Sequence, residues 1–131
     1  MKNEVRIMRL LSDPKRLRVL MLLAKRELCV CQIMGVLNIS QPLVSRNLNL
    51  LNSAGFLRGR KEGKLVFYSI DPKMKAFNRR LMELLKDALK ADKMLRGDLR
   101  SLRECEDFQK RTGKCDMKTF SAYLGKKRKS S

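Results

Sequence analysis

The residues with the most specific chemistry in this 131-residue chain are its four cysteines. Cys29 and Cys31 flank a single valine, and Cys105 and Cys115 lie near the other end. Thiolate sulfur is a soft, anionic ligand, so it selects thiophilic ions over Mg²⁺ or Ca²⁺. The charged N-terminal residues do not have the layout of a signal peptide, and structural disulfides are rare in the cytoplasm, where we expect this chain. The thiols are therefore candidate metal ligands, redox groups or buried apolar side chains.

The chain contains no histidine. That removes the commonest general base and a frequent zinc ligand. The sequence also has no glycine loop of the kind that cradles phosphate and no nucleophile elbow. We therefore expect neither an enzyme nor an organic cofactor.

The charge of the chain indicates its class of partner. Its 31 Lys and Arg residues against 13 Asp and Glu give a formal net charge of +18. Such an excess implies a polyanion, and nucleic acid ranks before an anionic membrane surface. No apolar run approaches the roughly 20 residues of a membrane span. We expect a cytoplasmic protein that binds DNA and no membrane, although a basic nucleoid-type protein without an effector remains an alternative.

The segment that follows residue 39 has the pattern of a DNA-recognition helix. Ser40 is a good N-cap, and Val44, Leu48 and Leu51 form one apolar stripe at helical spacing. The opposite side carries groups that can pair with base edges or phosphates, at Gln41, Ser45, Arg46, Asn49 and Asn52. An ordinary amphipathic helix on the surface would show the same periodicity.

Three shorter helices are predicted before it. They cover Glu4–Leu11, Pro14–Lys25 and Leu28–Leu37, and the Asp-Pro pair before the second is a clear start signal. A tight turn at Asn38–Ile39 separates the third helix from the recognition helix. This order is that of a helix-turn-helix.

A basic hairpin is predicted after the recognition helix. Phe56–Lys61 and Leu65–Ile70 alternate like two strands, and Gly63 can supply the positive φ of a tight turn. Four cations flank this turn, at Arg58, Arg60, Lys61 and Lys64. Beside a recognition helix they favour a wing that contacts phosphates or the minor groove, whereas a charged, solvated sheet edge is the alternative.

A long helix is predicted from Asp71-Pro72 onward. Its apolar stripe comprises Phe77, Leu81, Leu84, Leu85, Ala88, Ala91 and Leu95. A stripe of this length needs a cover, and a two-fold dimer would also place two recognition helices about 34 Å apart. The alternative is that the stripe folds back on its own domain.

We divide the chain into three parts. Residues 1–96 form the DNA-binding and dimerisation domain, 97–125 a cysteine-containing extension, and 126–131 a disordered basic tail. Gly97 is the predicted break in the long helix, which resumes up to Cys105. A polar loop or ragged helix over Cys105–Cys115 and a last short helix over Met117–Leu124 complete the extension.

Four segments carry a resemblance to a known family. The segments LSDPKRLRVLMLL, ELCVC, SQPLVSRNLNLLNSAGFL and RKEGKLVFYSID resemble, in order, those of the ArsR/SmtB family of bacterial metalloregulatory repressors. The resemblance covers roughly Val5 to Asp71. It implies a mainly α fold with a small β-hairpin (α+β), a winged helix-turn-helix that dimerises through its terminal helices. It also implies a repressor that releases its operator when a toxic ion or small effector binds.

The resemblance also bears on the DNA contacts. Ser40, Gln41, Ser45 and Arg46 match the family's pattern SQxxxSR, and Asn47 stands where many members have His. The wing cations Arg60, Lys61 and Lys64 match as well. Together with the helix face, these matches predict a set of DNA contacts at Ser40, Gln41, Ser45, Arg46, Asn47, Asn49, Arg60, Lys61 and Lys64.

The segment ELCVC is similar to that of the arsenic-sensing members and of the cadmium/lead sensors. It implies that Cys29 and Cys31 bind As(III) or Sb(III), which take three sulfurs in a pyramid. Met34 stands at the third cysteine position of the best-known arsenic pattern. Cys105 and Cys115 are then the candidate further ligands, or a two-thiol site of their own that could take a methylated arsenical.

Two alternatives to an arsenic effector stay open. One is Cd²⁺ or Pb²⁺ in a four-thiolate site, and the other is a reversible disulfide that makes the trigger redox. Residues i and i+2 point about 200° apart on a regular helix. Cys29 and Cys31 can therefore reach one ion only if the start of the third helix is distorted, which would strain the recognition helix beside it.

Overall fold

The computed structural model describes residues 1–112. Six helices surround a small sheet: α1 (Lys2–Leu11), α2 (Pro14–Leu23), α3 (Val30–Leu37), α4 (Gln41–Ser53), α5 (Ala76–Leu89) and α6 (Lys93–Thr112). The strands are β1 (Leu28–Cys29), β2 (Leu57–Glu62) and β3 (Leu65–Ile70). They pair antiparallel in the order β1-β3-β2. Among the described helices, none has the length and apolar character that crossing a membrane requires.

The predicted helix-turn-helix and wing are both present. Asp13 caps α2, because its Oδ1 accepts hydrogen bonds from the backbone N–H groups of Lys15 and Arg16. Between α3 and α4 the chain turns at Asn38, whose φ of 55° is left-handed. Gly63 has a φ of 61° in the hairpin, as expected for a tight turn. The α+β winged helix-turn-helix is therefore confirmed.

The third helix begins later than predicted. Leu28 and Cys29 form the two-residue strand β1, which pairs with Tyr68 and Phe67 of the wing strand β3. A strand this short has no periodicity for a sequence pattern to reveal. Consequently, Cys29 lies before α3 rather than inside it.

The single long helix predicted after Asp71 is wrong. Asp71 begins a turn, in which its side chain accepts from the backbone N–H of Lys73, and α5 starts only at Ala76. The break falls between Leu89 and Lys93, where the Oδ1 atom of Asp92 accepts from the N–H of Leu95 at 3.1 Å and caps α6. Gly97 lies inside α6 and does not break it, and α6 continues past Cys105 to Thr112, in agreement with the ragged-helix alternative for that segment.

The helix α6 packs back onto α2 and α3. Its residues Leu102, Cys105 and Phe108 join a core built mainly from α2, α3, α4 and the start of the wing. Of the predicted stripe, Phe77, Leu81, Leu85 and Leu95 also pack against this core, so the alternative that the stripe folds back on its own domain is correct for these residues. The predicted helix Met117–Leu124, Cys115 and the basic tail 126–131 lie outside the described residues.

Candidate DNA interface and thiol site

The exposed face of α4 carries most of the predicted DNA contacts. Val44, Leu48 and Leu51 are buried, so the apolar stripe faces the core as expected. The residues that face outward are Gln41, Arg46, Asn49 and Asn52, all exposed, with Ser45 half-buried. This arrangement leaves amide and guanidinium groups available to a groove, since the helix is held by its other side.

Ser40 occupies the N-cap position but its side chain makes no capping hydrogen bond. The prediction that its hydroxyl satisfies a first-turn N–H is therefore wrong in that detail. The side chain is exposed. It remains a predicted DNA contact on that exposure alone.

Asn47 lies inside the molecule, although it was expected among the DNA contacts. Only 1% of its surface is exposed, and its Oδ1 accepts a hydrogen bond from Nε of Arg16 at 3.3 Å. Its Nδ2 has no hydrogen-bond partner among the described residues. The side chain faces α2 because position 47 falls beside Leu48 on the inner side of α4. A contact between this side chain and DNA does not fit that placement.

The wing presents its cations unequally. Arg60 donates to Glu27 at 2.7 Å and to Glu62 at 2.8 Å, and its guanidinium lies over the Phe67 ring. The hydrogen bonds that Arg60 donates to the Glu27 and Glu62 carboxylates raise its pKa. Lys61 and Lys64 are exposed, and no salt bridge within residues 1–112 engages them. The guanidinium of Arg60 is therefore occupied by two carboxylates of its own chain, whereas the ammonium groups of Lys61 and Lys64 are available to bind phosphates.

Cys29 lies at the junction of the sheet and α3. Its backbone is extended, with φ −91° and ψ 169°, and it is the N-cap of α3. Its N–H donates to Oε1 of Gln32 at 3.0 Å. The side chain is 2% exposed, whereas Cys31, in the first turn of α3, is half-buried. Because Cys29 is not helical, the opposed directions expected for the two thiols on a regular helix do not apply.

The structure brings Cys105 of α6 close to Cys29. Burial of Cys105, the nearby Cys29 and Glu106 together raise the pKa of the Cys105 thiol to about 11. It is 4% exposed, so it lies in the core with Cys29. Within the described part of the chain, no three Cys, Asp or Glu residues converge as a metal-binding group. The four-cysteine set is thus only partly assembled here, and Cys115 lies outside residues 1–112.

Three polar links fix α6 on the body of the domain. Arg18 of α2 donates two hydrogen bonds to Asp98, at 2.8 and 3.0 Å, and that carboxylate is 8% exposed. Nε2 of Gln32 donates to Oε1 of Gln109 at 3.1 Å. Arg26 and Glu106 form a salt bridge at 2.9 Å. The last two links lie one and four residues after Cys105 in α6, so they fix the part of the helix that carries this thiol.

Sequence reasoning missed the buried partners of two arginines. The helical periodicity of α2 predicts that Arg16 and Arg18 face solvent, yet Arg16 binds Asn47 and Arg18 binds Asp98. Their partners lie 31 and 80 residues away in the chain. A local pattern carries no signal for such pairs. The capping residue Asp92 could have been found, because an Asp before a new apolar run is a start signal.

Comparison with known proteins identifies the group to which these features belong. Residues 13–58 match the family described as "Bacterial regulatory protein, arsR family". The arsenical resistance operon repressor of Escherichia coli K12 is 38% identical over 80 residues, which are 60% of this chain and 68% of that protein. The chain belongs to the ArsR family.

Two further similarities bear on the effector and the assembly. A homologue of the cadmium resistance regulatory protein CadC from Staphylococcus aureus is 39% identical over 67 residues, half of this chain and 55% of that protein. The homodimeric winged helix-turn-helix DNA-binding domain of Mb0332 from Mycobacterium bovis is 27% identical. Its structure matches with a TM-score of 0.58, covering 70% of this chain and 82% of that one.

Membership of the ArsR family confirms three predictions. The chain is a DNA-binding transcriptional regulator, it is not an enzyme, and DNA is its partner. The chain is similar to regulators of both arsenical and cadmium resistance. These similarities therefore do not determine which ion is its effector.

Proposed function

We propose that this ArsR protein is a homodimeric repressor that releases its operator when As(III) or Sb(III) binds Cys29 and Cys31, with a further thiolate from Cys105 or Cys115. The observation that carries the proposal is the proximity of Cys105 on α6 to Cys29 at the start of α3, with both thiols buried. A third sulfur is what the CVC segment lacks, and α6 brings one to it. The name of the E. coli relative supports an arsenical effector.

The chemistry of ligation fits a buried, protonated thiol. Arsenite in neutral water is As(OH)₃, and each thiol that forms an As–S bond gives its proton to a departing hydroxyl, which leaves as water. Three thiols therefore release three waters, and no net charge is buried. A hard divalent cation offers no such exchange and prefers oxygen ligands. A simple cation binds the deprotonated thiol, whereas arsenite takes up the thiol proton on a departing hydroxyl. The raised pKa of Cys105 therefore disfavours binding of a simple cation more than it disfavours binding of arsenite.

The position of Cys29 explains how binding could reach DNA. Cys29 pairs with Phe67 of the wing strand β3, and it is also the N-cap of α3, which packs against α4. Cys31 follows in the first turn of α3, so an ion shared by Cys29, Cys31 and Cys105 would tie that turn to α6 and strain it. Both DNA-contacting elements, the recognition helix and the wing, then respond to one ligand.

The proposed dimer accounts for the apolar surface that one copy leaves uncovered. Leu84 on α5 is 63% exposed and Met8 on α1 is 54% exposed. A dimer interface over α1 and α5 would cover both side chains. The homodimeric Mb0332 domain supports this assembly. Two-fold symmetry then sets the recognition helices about one DNA turn apart, roughly 34 Å.

A redox trigger is the second candidate, because Cys29 and Cys105 lie close enough to influence each other. In that case the two thiols would lose two protons and two electrons to an oxidant such as hydrogen peroxide and form a disulfide. The two mechanisms differ in one respect. Arsenite acts under strong reductant, whereas a disulfide cannot persist there.

The deciding experiment measures release of a labelled operator by arsenite, with a phosphine reductant present. We expect the wild type to dissociate, and the Cys29→Ser and Cys105→Ser variants to need at least tenfold more arsenite, which corresponds to about 1.4 kcal/mol of lost coupling. Met34→Leu is the matched control, because it removes a sulfur from α3 that is a poor As(III) ligand.

Three outcomes separate the alternatives. Wild-type release by Cys29→Ser at the same arsenite concentration would refute the ligand assignment. Release by Cd²⁺ or Pb²⁺ at lower concentration than by arsenite would assign the cadmium/lead class. Competition by random DNA as effective as that by the operator would indicate a nucleoid-type protein.

A further inference from the structure

We infer that Arg16 and Asn47 are positioning residues that set the orientation of the recognition helix on operator DNA. Neither residue is proposed to touch DNA. The inference depends on DNA binding by this ArsR protein and not on which ion it senses. It gives Asn47 a role different from the base or phosphate contact that its sequence position suggested.

The guanidinium of Arg16 joins three elements. Nε donates to Oδ1 of Asn47 on α4 at 3.3 Å, and Nη1 donates to the carbonyl oxygen of Leu10 in the last turn of α1 at 2.9 Å. Nη2 lies 3.9 Å from Asp13, the cap of α2. The Arg16 side chain is 14% exposed. One planar group therefore fixes α1, α2 and α4 relative to each other.

Packing alone does not explain an asparagine at position 47. The side chain is 1% exposed, and its Nδ2 has no hydrogen-bond partner within residues 1–112. Burying an unsatisfied amide donor destabilises the folded state, whereas a leucine of similar size would not. An asparagine at position 47 therefore stabilises the folded state less than an apolar side chain of similar shape would. Its other atom, Oδ1, is the acceptor that Arg16 needs.

The remaining contacts of α4 with the core do not define its rotation well. Along the helix they are made by Val44, Leu48 and Leu51, and contacts between apolar side chains are non-directional, while a hydrogen bond from Asn78 to the carbonyl oxygen of Ala54 acts only at its C-terminal end. A hydrogen bond to a charged donor is directional. Arg46, next to Asn47, is exposed on the outer face. A small rotation of α4 about its axis would move Arg46 and Asn49 relative to the bases, so the bond at Asn47 controls specificity from inside.

The link to Leu10 extends the same control to α1. Met8 in the same helix is exposed and belongs to the apolar surface assigned to the dimer. In the proposed dimer, Arg16 thus connects the recognition helix to a helix whose exposed Met8 lies on the interface. Loss of this connection should reduce binding to the palindromic operator more than binding to random DNA, which depends on phosphate contacts.

The test compares the Arg16→Met/Asn47→Leu double variant with the wild type. Replacing both polar partners with apolar side chains of similar shape can leave stability nearly unchanged. We expect operator affinity to fall by about tenfold or more, the factor that loss of a charged hydrogen bond gives, while affinity for random DNA falls less than threefold. Lys15→Met is the matched control for the lost charge, because Lys15 is exposed on the same turn.

The readouts distinguish positioning from general destabilisation. Fluorescence anisotropy gives both affinities, and thermal unfolding gives stability. If the double variant binds the operator as tightly as Lys15→Met does, the inference is wrong. If the double variant does not fold, Arg16→Lys is tested in its place. A lysine keeps the charge but cannot donate to both Oδ1 of Asn47 and the carbonyl oxygen of Leu10. A wild-type ratio of operator to random-DNA affinity in Arg16→Lys would then refute the inference.

Discussion

At the scale of single residues, burial of the Cys105 thiol predicts that the stability of the folded protein depends on pH. Its pKa of about 11 in the folded state exceeds the ordinary 9.0. Between these values the unfolded chain loses this proton while the folded chain keeps it, so stability falls as the pH rises. We expect the unfolding midpoint in urea to decrease from pH 8.5 to 10.5, and to decrease less in Cys105→Ala. Equal decreases in both proteins would contradict the placement of this thiol in the core.

At the scale of elements, the ion pair between Arg18 and the buried Asp98 is one of the three polar links that attach α6. Asp98→Ala leaves the Arg18 guanidinium without its carboxylate, and we expect a loss of up to about 3 kcal/mol in the free energy of unfolding. Asp87→Ala is the matched control, because Asp87 pairs with Lys90 at 3.6 Å on the surface, where both side chains are over 70% exposed. That variant should lose less than about 0.5 kcal/mol. Similar losses in urea unfolding would show that the pair does not hold α6.

A second prediction at the scale of elements concerns the cations of the wing. Lys61 and Lys64 are exposed, whereas Arg60 is held by Glu27 and Glu62. We expect Lys61→Ala/Lys64→Ala to weaken operator and random DNA about equally, and to reduce the slope of log affinity against log salt by about 0.9 per lysine that contacts a phosphate. Lys73→Ala/Lys75→Ala, two exposed lysines before α5, controls for net charge. An unchanged slope in the wing variant would exclude these phosphate contacts.

At the scale of the whole molecule, the homodimer is a proposal that a surface charge can test. Leu84 on α5 is 63% exposed in one copy. We expect Leu84→Lys to shift sedimentation from dimer to monomer and to weaken operator binding, because burying an unpaired ammonium in an interface is unfavourable. Leu65→Lys, on the wing strand β3 and 41% exposed, should leave the oligomeric state unchanged. A dimeric Leu84→Lys protein would place the interface elsewhere.

Local patterns in the sequence determined the helix-turn-helix, the wing and the exposed face of α4. These features depend on the spacing of apolar residues and on Asp, Gly and Asn at turns, which act over a few residues. Val44, Leu48 and Leu51 are buried, and Leu65–Ile70 forms the predicted strand, for that reason. The net charge of +18 likewise needs no structure to indicate a polyanionic partner.

Only the tertiary structure decided which distant residues meet. The pairs Arg16–Asn47 and Arg18–Asp98 and the approach of Cys105 to Cys29 all join segments far apart in the chain. The position of α6 on the core depends on its packing against α2 and α3. The periodicity within α6 does not indicate which helices it packs against. Because burial changes what a polar group or a thiol can do, the role of Asn47 and the protonation of Cys105 could be assigned only from their surroundings.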